Sequence, residues 1–172
     1  MKKMLVLMLV ICLLFAAAGL AEEEPRDIDA AGTPYVTWRD GAYEACIPDQ
    51  GFVGIWTTAG EFLAAVKEQS DAIMYALEND PLTQMDMNLK SEQLRTLWEQ
   101  AMNALLEEVK HALSAEEAAV LAAEQIEWEE NAKAAVDEAG KTFEGGSVYA
   151  LIVNTEAATL TEARVYELYE LI

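Results

Sequence analysis

Helical periodicity from Gly60 to the end of the chain is the feature that most limits its fold. Apolar residues recur there at steps of three and four, the spacing of one face of an α-helix. No cysteine follows Cys46, so a disulfide cannot join these helices, and stability must come from an apolar core. We therefore expect an all-α fold, an antiparallel bundle of about four helices.

Breaks in this pattern set the helix boundaries. The predicted helices span residues 60–79, 83–113, 114–139 and 147 to near the end. Pro81 ends the first helix, because the residue before proline avoids helical geometry. Ser114 and Glu117 form a capping box that starts the third helix, and Gly140 is a C-terminal stop.

Four large or polar residues on the apolar stripes predict how the helices pack. Trp98 and Trp128 are expected to be core anchors, because each can bury a large apolar area. Gln125 and Arg164 fall on the inward sides of the third and last helices. Buried polar groups need partners, so we favour an internal polar clamp. The alternative is that the two side chains line a groove for a partner.

The N-terminus has the order of a secretory signal. Lys2 and Lys3 precede an uncharged apolar run, and small residues lead to Ala21. We predict a signal peptide over residues 1–21 that is cleaved after about Ala21. A retained membrane anchor is the alternative, but the run is shorter than the roughly 20 residues that span a bilayer. The expected location is secreted or periplasmic, with membrane contact only through the uncleaved signal.

Residues 22–59 form a separate region before the helical domain of residues 60–172. Its first part is an acidic lead that contains Pro and Gly. Tyr35 to Trp38 and Ala42 to Ile47 have strand composition, and a turn signal separates them, so we predict a small hairpin. Gly51 to Trp56 is too irregular for a predicted element.

Charge narrows the class of partner. The chain has a net charge of −20, and removal of Lys2 and Lys3 leaves nine bases against 31 acids, a net charge of −22. Nucleic-acid binding needs a basic face, which argues against that partner. An acidic surface attracts cationic proteins. The alternative is that the acids only solvate the helix surfaces.

Candidate sites for chemistry are weak. His111 is the only histidine, so neither a metal-ligand pair nor a convincing Ser-His-acid triad is available. Residues 27–32 resemble a calcium loop but lack its later ligands. Carboxylate pairs are too abundant to be informative. We expect no catalytic, metal-binding or cofactor-binding residue, no cofactor, and no enzyme activity.

Four short motifs occur in a set order between residues 83 and 168, within a region of similarity that covers about residues 73–171. They are an opening that contains Thr83, Gln84 and Asn88, a helix with Gln125 and Trp128, a break at Gly145, Gly146 and Ser147, and an ending with Thr161 and Arg164. In this combination the chain resembles the lysozyme inhibitor LprI-like domain family. The resemblance implies an exported helical domain and, for some members, binding and inhibition of lysozyme. We interpret the ten residues as defining the fold.

Two departures from the family pattern are visible. Many members carry cysteines around the opening, after the Trp and in the last helix, whereas this chain has none there. Many also carry Arg-Asp shortly after the Trp, where this chain has residues 129–133, Glu-Glu-Asn-Ala-Lys. Family-style disulfides and any function tied to the Arg-Asp pair are therefore not expected.

Two functional hypotheses follow. In the first, the chain is an exported acidic helical binding protein of the cell envelope, and by resemblance an inhibitor of a cationic lysozyme. In the second, it is a structural or assembly module of the envelope that binds another protein without catalysis. The second would use the aromatic side chains of the hairpin region: Tyr35, Trp38, Tyr43, Phe52 and Trp56.

Overall fold

A computed structural model describes residues 34–172, which form a small sheet followed by four helices. The strands are β1 (Tyr35–Arg39), β2 (Ala42–Ile47) and β3 (Phe52–Trp56), and the helices are α1 (Ala59–Asn79), α2 (Gln84–Ala112), α3 (Ala115–Gly140) and α4 (Tyr149–Tyr169). The predicted mostly helical bundle with a small N-terminal hairpin is confirmed. The predicted signal and most of the acidic lead lie outside the described residues.

The sheet is antiparallel and larger than expected. Its order is β1-β2-β3, and Trp38 pairs with Tyr43 across the predicted turn. No element was predicted over Gly51–Trp56, but β3 forms there and pairs with β2 from Ile47 opposite Phe52 onward. Burial alternates along β3, which is the period of a half-buried strand.

The aromatic residues of the sheet mostly face the helices. Tyr43 is 0% exposed and stacks on Phe62 of α1 with ring centroids 4.3 Å apart. Phe52 is also buried, and its ring stacks on Trp56. Burial and a hydrogen bond to Glu108 raise the pKa of Tyr43. The alternative hypothesis, in which these aromatics form a docking surface, is therefore wrong for Tyr43 and Phe52.

Local signals account for the starts of the first three helices and for the end of the first. Thr58 accepts from the Glu61 amide at the start of α1, which ends two residues before Pro81. Thr83 with Asp86 forms a capping box at the start of α2. A second capping box, predicted from the sequence, starts α3. These bonds satisfy amides that have no partner within the helix.

Helix α2 is the centre of the packing. It contacts α4, α1 and β1, and its inward residues Leu94, Trp98, Leu105 and Val109 are buried. Trp98 is 1% exposed, which confirms its predicted place in the core, and its indole N–H donates to Ser70 Oγ at 3.1 Å. The sequence period predicts an inward stripe on α2, and only its last member, Ala112, is exposed; the stripe comprises Met87, Leu94, Trp98, Ala101, Leu105, Val109 and Ala112.

Trp128 is less buried than the sequence predicts. Its side chain is only half-buried and packs against the edge of the core. The sequence period places it correctly on the inward side of α3, but no neighbouring helix covers its whole indole. The prediction of a second core anchor is therefore confirmed only in part, because the period indicates the direction of a side chain and not how fully it is covered.

The connection from α3 to α4 also differs from expectation. Gly140 is in right-handed helical geometry, and the chain continues into a short 3-10 turn, so Gly140 is not a left-handed stop. Glycine is required there by close approach, since a Cβ would lie 2.6 Å from Val153 Cγ1. The left-handed glycine is Gly145, with φ of 74°. Ser147 does not cap α4, which begins at Tyr149 without a side-chain cap.

We expect Trp98→Ala to lower the free energy of unfolding by about 3–5 kcal/mol, the usual range for removal of a buried aromatic side chain. Trp128→Ala should lower it by clearly less, because part of that indole already contacts water. Denaturant titration followed by circular dichroism measures both values. Equal losses for the two variants would contradict the assigned burial.

The pKa of Asp86 should respond to its capping partner. The hydroxyl and the backbone N–H of Thr83 hold that pKa below its ordinary value. A lowered folded-state pKa means that the stabilisation is present above the ordinary pKa and is lost as the pH falls through the folded value. In Thr83→Ala, the pKa of Asp86 should rise toward its ordinary value in an NMR titration. Glu117 of the other capping box should not change, and an unmoved Asp86 would exclude the hydroxyl as the cause.

Candidate functional site

Two of the four sequence motifs meet at one end of the bundle. Gln84 Nε2 donates to Asn88 Oδ1 at 2.9 Å, and Asn88 Nδ2 donates to the carbonyl of Ser147 at 3.0 Å. The break beside Ser147 is itself a tight turn in which the Gly146 N–H donates to the carbonyl of Phe143 at 2.9 Å. The start of α2 is therefore tied to the loop that precedes α4.

The other two motifs meet between α3 and α4. Arg164 Nε donates to Gln125 Oε1 at 3.1 Å, and Gln125 Nε2 donates to Glu129 at 3.1 Å. Gln125 is 7% exposed, and its amide also contacts Met102 Sδ at 3.6 Å. Arg164 pairs in addition with Glu167 at 2.9 Å. The predicted polar clamp between these helices is confirmed.

A groove opens beside this clamp because α3 packs on α4 and hardly on α2. The inward residues of α3 beyond Trp128 are mostly alanines, such as Ala132, Ala135 and Ala139. Small side chains let α3 approach α4 closely, as the contact of Gly140 with Val153 shows. They do not fill the space toward α2, and a groove of about 490 Å³ remains there.

Trp128 is the largest side chain in this groove, called here the Trp128 groove. Its apolar lining comes from all three helices and comprises Met102, Trp128, Ala132, Val136, Val153 and Ala157. Thr161, another motif residue, lies at the same surface and uses its hydroxyl to donate to the Ala157 carbonyl at 2.8 Å. An open groove with a half-buried indole resembles the pockets in which aromatic anchors of protein interfaces lie.

The charges along the Trp128 groove are balanced. Arg95 pairs with Glu99 at 2.8 Å, and Lys133 pairs with Asp137 at 2.7 Å. Glu129, the remaining charged residue of the lining, accepts from Gln125. Ion pairs between neighbours on one helix contribute little to stability. Their effect here is to leave the groove without a strong excess of either charge.

A polar network that the sequence analysis missed lies at the groove. Arg95 Nε donates to Asn154 Oδ1 at 3.1 Å, and Asn154 Nδ2 donates to Ser91 Oγ at 3.3 Å. Ser91 is 0% exposed and donates to the Asn88 carbonyl at 2.8 Å. Ser91 lies on the same stripe as Leu94 and Trp98, so the inward spacing was an available signal. Nothing local in the sequence indicated its contact with Asn154, which is 63 residues away.

Within residues 34–172, no cluster of His, Cys, Asp and Glu side chains has the arrangement to hold a metal ion. His111 lies against Trp38, with ring centroids 5.2 Å apart. None of the helices described above has the length and apolar character needed to cross a membrane.

Comparison with known proteins identifies a family. The family model of the lysozyme inhibitor LprI matches residues 78–168, a range that contains all four motifs and the whole lining of the Trp128 groove. No curated protein and no solved structure matches the chain. Because the model covers more than half of the chain, the protein belongs to the lysozyme inhibitor LprI family.

Proposed function

We propose that this chain is an exported acidic binding protein of the cell envelope that inhibits a cationic lysozyme. The observation that carries the proposal is the family match over residues 78–168. The proposed route is cleavage of the signal after about Ala21 and release as a secreted or periplasmic protein. The proposed activity is binding to a protein partner without catalysis, metal or cofactor.

The distribution of charge supports a cationic partner. Residues 34–172 contain 26 acids and eight bases, and six of the bases form ion pairs with acids three or four residues away in the chain. Helix α3 alone carries eight acids and one base. Such an excess accelerates association with a positively charged protein through long-range attraction.

The Trp128 groove supplies the specific contact in this proposal. Long-range attraction alone raises the association rate but adds little selectivity. An aromatic side chain in a groove contributes a large share of the binding energy. The ten motif residues keep a structural role in this view. Eight of them shape the bundle around the groove, while Trp128 and Thr161 also contribute to its surface.

Lysis of bacterial cell walls by a cationic lysozyme tests the activity. We expect micromolar amounts of the exported protein to slow lysis, and the inhibition to weaken as salt rises from about 20 mM to about 200 mM, because salt screens exposed charges. A muralytic enzyme of low isoelectric point serves as the control. Unchanged lysis of the cationic enzyme at low salt would refute the proposed function.

A pair of arginine variants tests the surface. Ala132 lines the Trp128 groove, whereas Ala134 lies on the exposed side of the same helix. Ala132→Arg places a long cationic side chain in the groove and should raise the inhibitor concentration needed for half-inhibition at least tenfold. Ala134→Arg adds the same charge outside the groove and should change it less than twofold. Equal effects of the two variants would exclude the groove as the contact surface.

A further inference from the structure

A second groove lies on the opposite flank of α4, between its N-terminal half and the C-terminal half of α1. It has a volume of about 390 Å³, within the range of roughly 300–1,000 Å³ that ligand pockets occupy. Its apolar walls are formed by Met74, Leu77, Met87, Leu151 and Ile152. We call it the methionine groove.

Contacts within the bundle leave part of these apolar walls uncovered. Every residue from 148 to 157 of the chain is half-buried, and residues 148–155 contain no charge. One side of that segment packs on α2, so its remaining apolar surface faces the two grooves. Met74 and Leu77 pack against the core but stay partly open to solvent.

The rim of the methionine groove is acidic. Its two charged residues are Glu78 of α1 and Glu156 of α4. In the part of the chain that the structure describes, neither carboxylate has a base within ion-pair distance. The Trp128 groove differs, because its bases and acids pair with one another. The methionine groove thus combines an apolar floor with uncompensated negative charge.

We propose that the methionine groove binds a basic amphipathic helix of a partner protein. Residues 151, 152, 155 and 156 line it over a little more than one turn of α4, which suits two or three anchors spaced as on one helix face. Unbranched methionine side chains adapt to differently shaped anchors. Lysines beside those anchors would pair with Glu78 and Glu156.

A second copy of this chain is disfavoured as the occupant by charge. With 26 acids and eight bases in residues 34–172, two copies repel each other. The site is separate from the Trp128 groove, and its ligand class is independent of the proposed lysozyme inhibition.

Fluorescence anisotropy with a labelled synthetic peptide tests this site. The probe is a helical peptide of leucine and lysine with all leucines on one face, and a peptide of the same composition in scrambled order controls for charge. We expect the purified exported protein to bind the amphipathic peptide with micromolar affinity, at least tenfold tighter than the scrambled one. Absence of binding at protein concentrations 100-fold above the micromolar range, or equal affinity for both peptides, would overturn the proposal.

Matched variants locate the binding. The first pair of variants tests the rim charge. Binding should weaken at least fivefold in the double variant Glu78→Gln, Glu156→Gln. It should weaken less than twofold in the control Glu127→Gln, Glu130→Gln, which makes an equal charge change on the exposed face of α3. The second pair tests the groove itself. Thr155→Arg should weaken binding at least tenfold, because Thr155 lines the groove. The control Thr159→Arg, one turn away and exposed, should weaken binding less than twofold.

Thermal melts of each variant confirm that the fold is kept. Equal losses within each matched pair would show generic attraction and overturn the assignment. Sedimentation that revealed a dimer dissociated by Thr155→Arg would overturn it in favour of a second copy. Because the peptide assay contains no lysozyme, a negative result does not contradict the proposed inhibition. A negative result in the lysis assay likewise does not contradict peptide binding at the methionine groove.

Discussion

Burial of α2 among α1, α4 and the sheet is the interaction on which the rest of this structure depends. Trp98 lies at its centre, nearly inaccessible to solvent and hydrogen-bonded to Ser70. Cys46 is buried and is the single cysteine of residues 34–172, so no disulfide within the described domain compensates for a weakened core. In a chain with so much negative charge, apolar burial must outweigh the repulsion among the acids.

Helix α3 is held by a different balance of forces. The residues of α3 that face α4 are mostly alanines and Gly140, whereas α2 contributes large side chains to its contacts. The main polar contact of α3 is the hydrogen bond between Gln125 and Arg164. Small side chains allow close approach but leave the gap toward α2 unfilled. The Trp128 groove is thus a direct consequence of the composition of α3, and it leaves one indole partly exposed in a domain that buries another completely.

The two flanks of α4 offer surfaces of different character. On the side of α3, bases and acids neutralise each other and Trp128 supplies the prominent apolar contact. On the side of α1, adaptable methionines lie beside the carboxylates of Glu78 and Glu156. Both surfaces arise because residues 148–155, at the start of α4, carry no charge and are mostly apolar, while α2 covers only one side of them.

The sequence by itself determined the helices, the capping box at Ser114 and the inward direction of Trp98, Gln125, Trp128 and Arg164. These features depend on interactions between residues three or four apart, which spacing alone reveals. Only the tertiary structure decided that Trp128 remains partly exposed and that β3 completes the sheet. It also decided that Gly140 is needed for close approach and that Asn88 holds the carbonyl of Ser147, 59 residues away. The physical reason is that periodicity specifies which way a side chain points, whereas its cover depends on the size and distance of a neighbour that is remote in the chain.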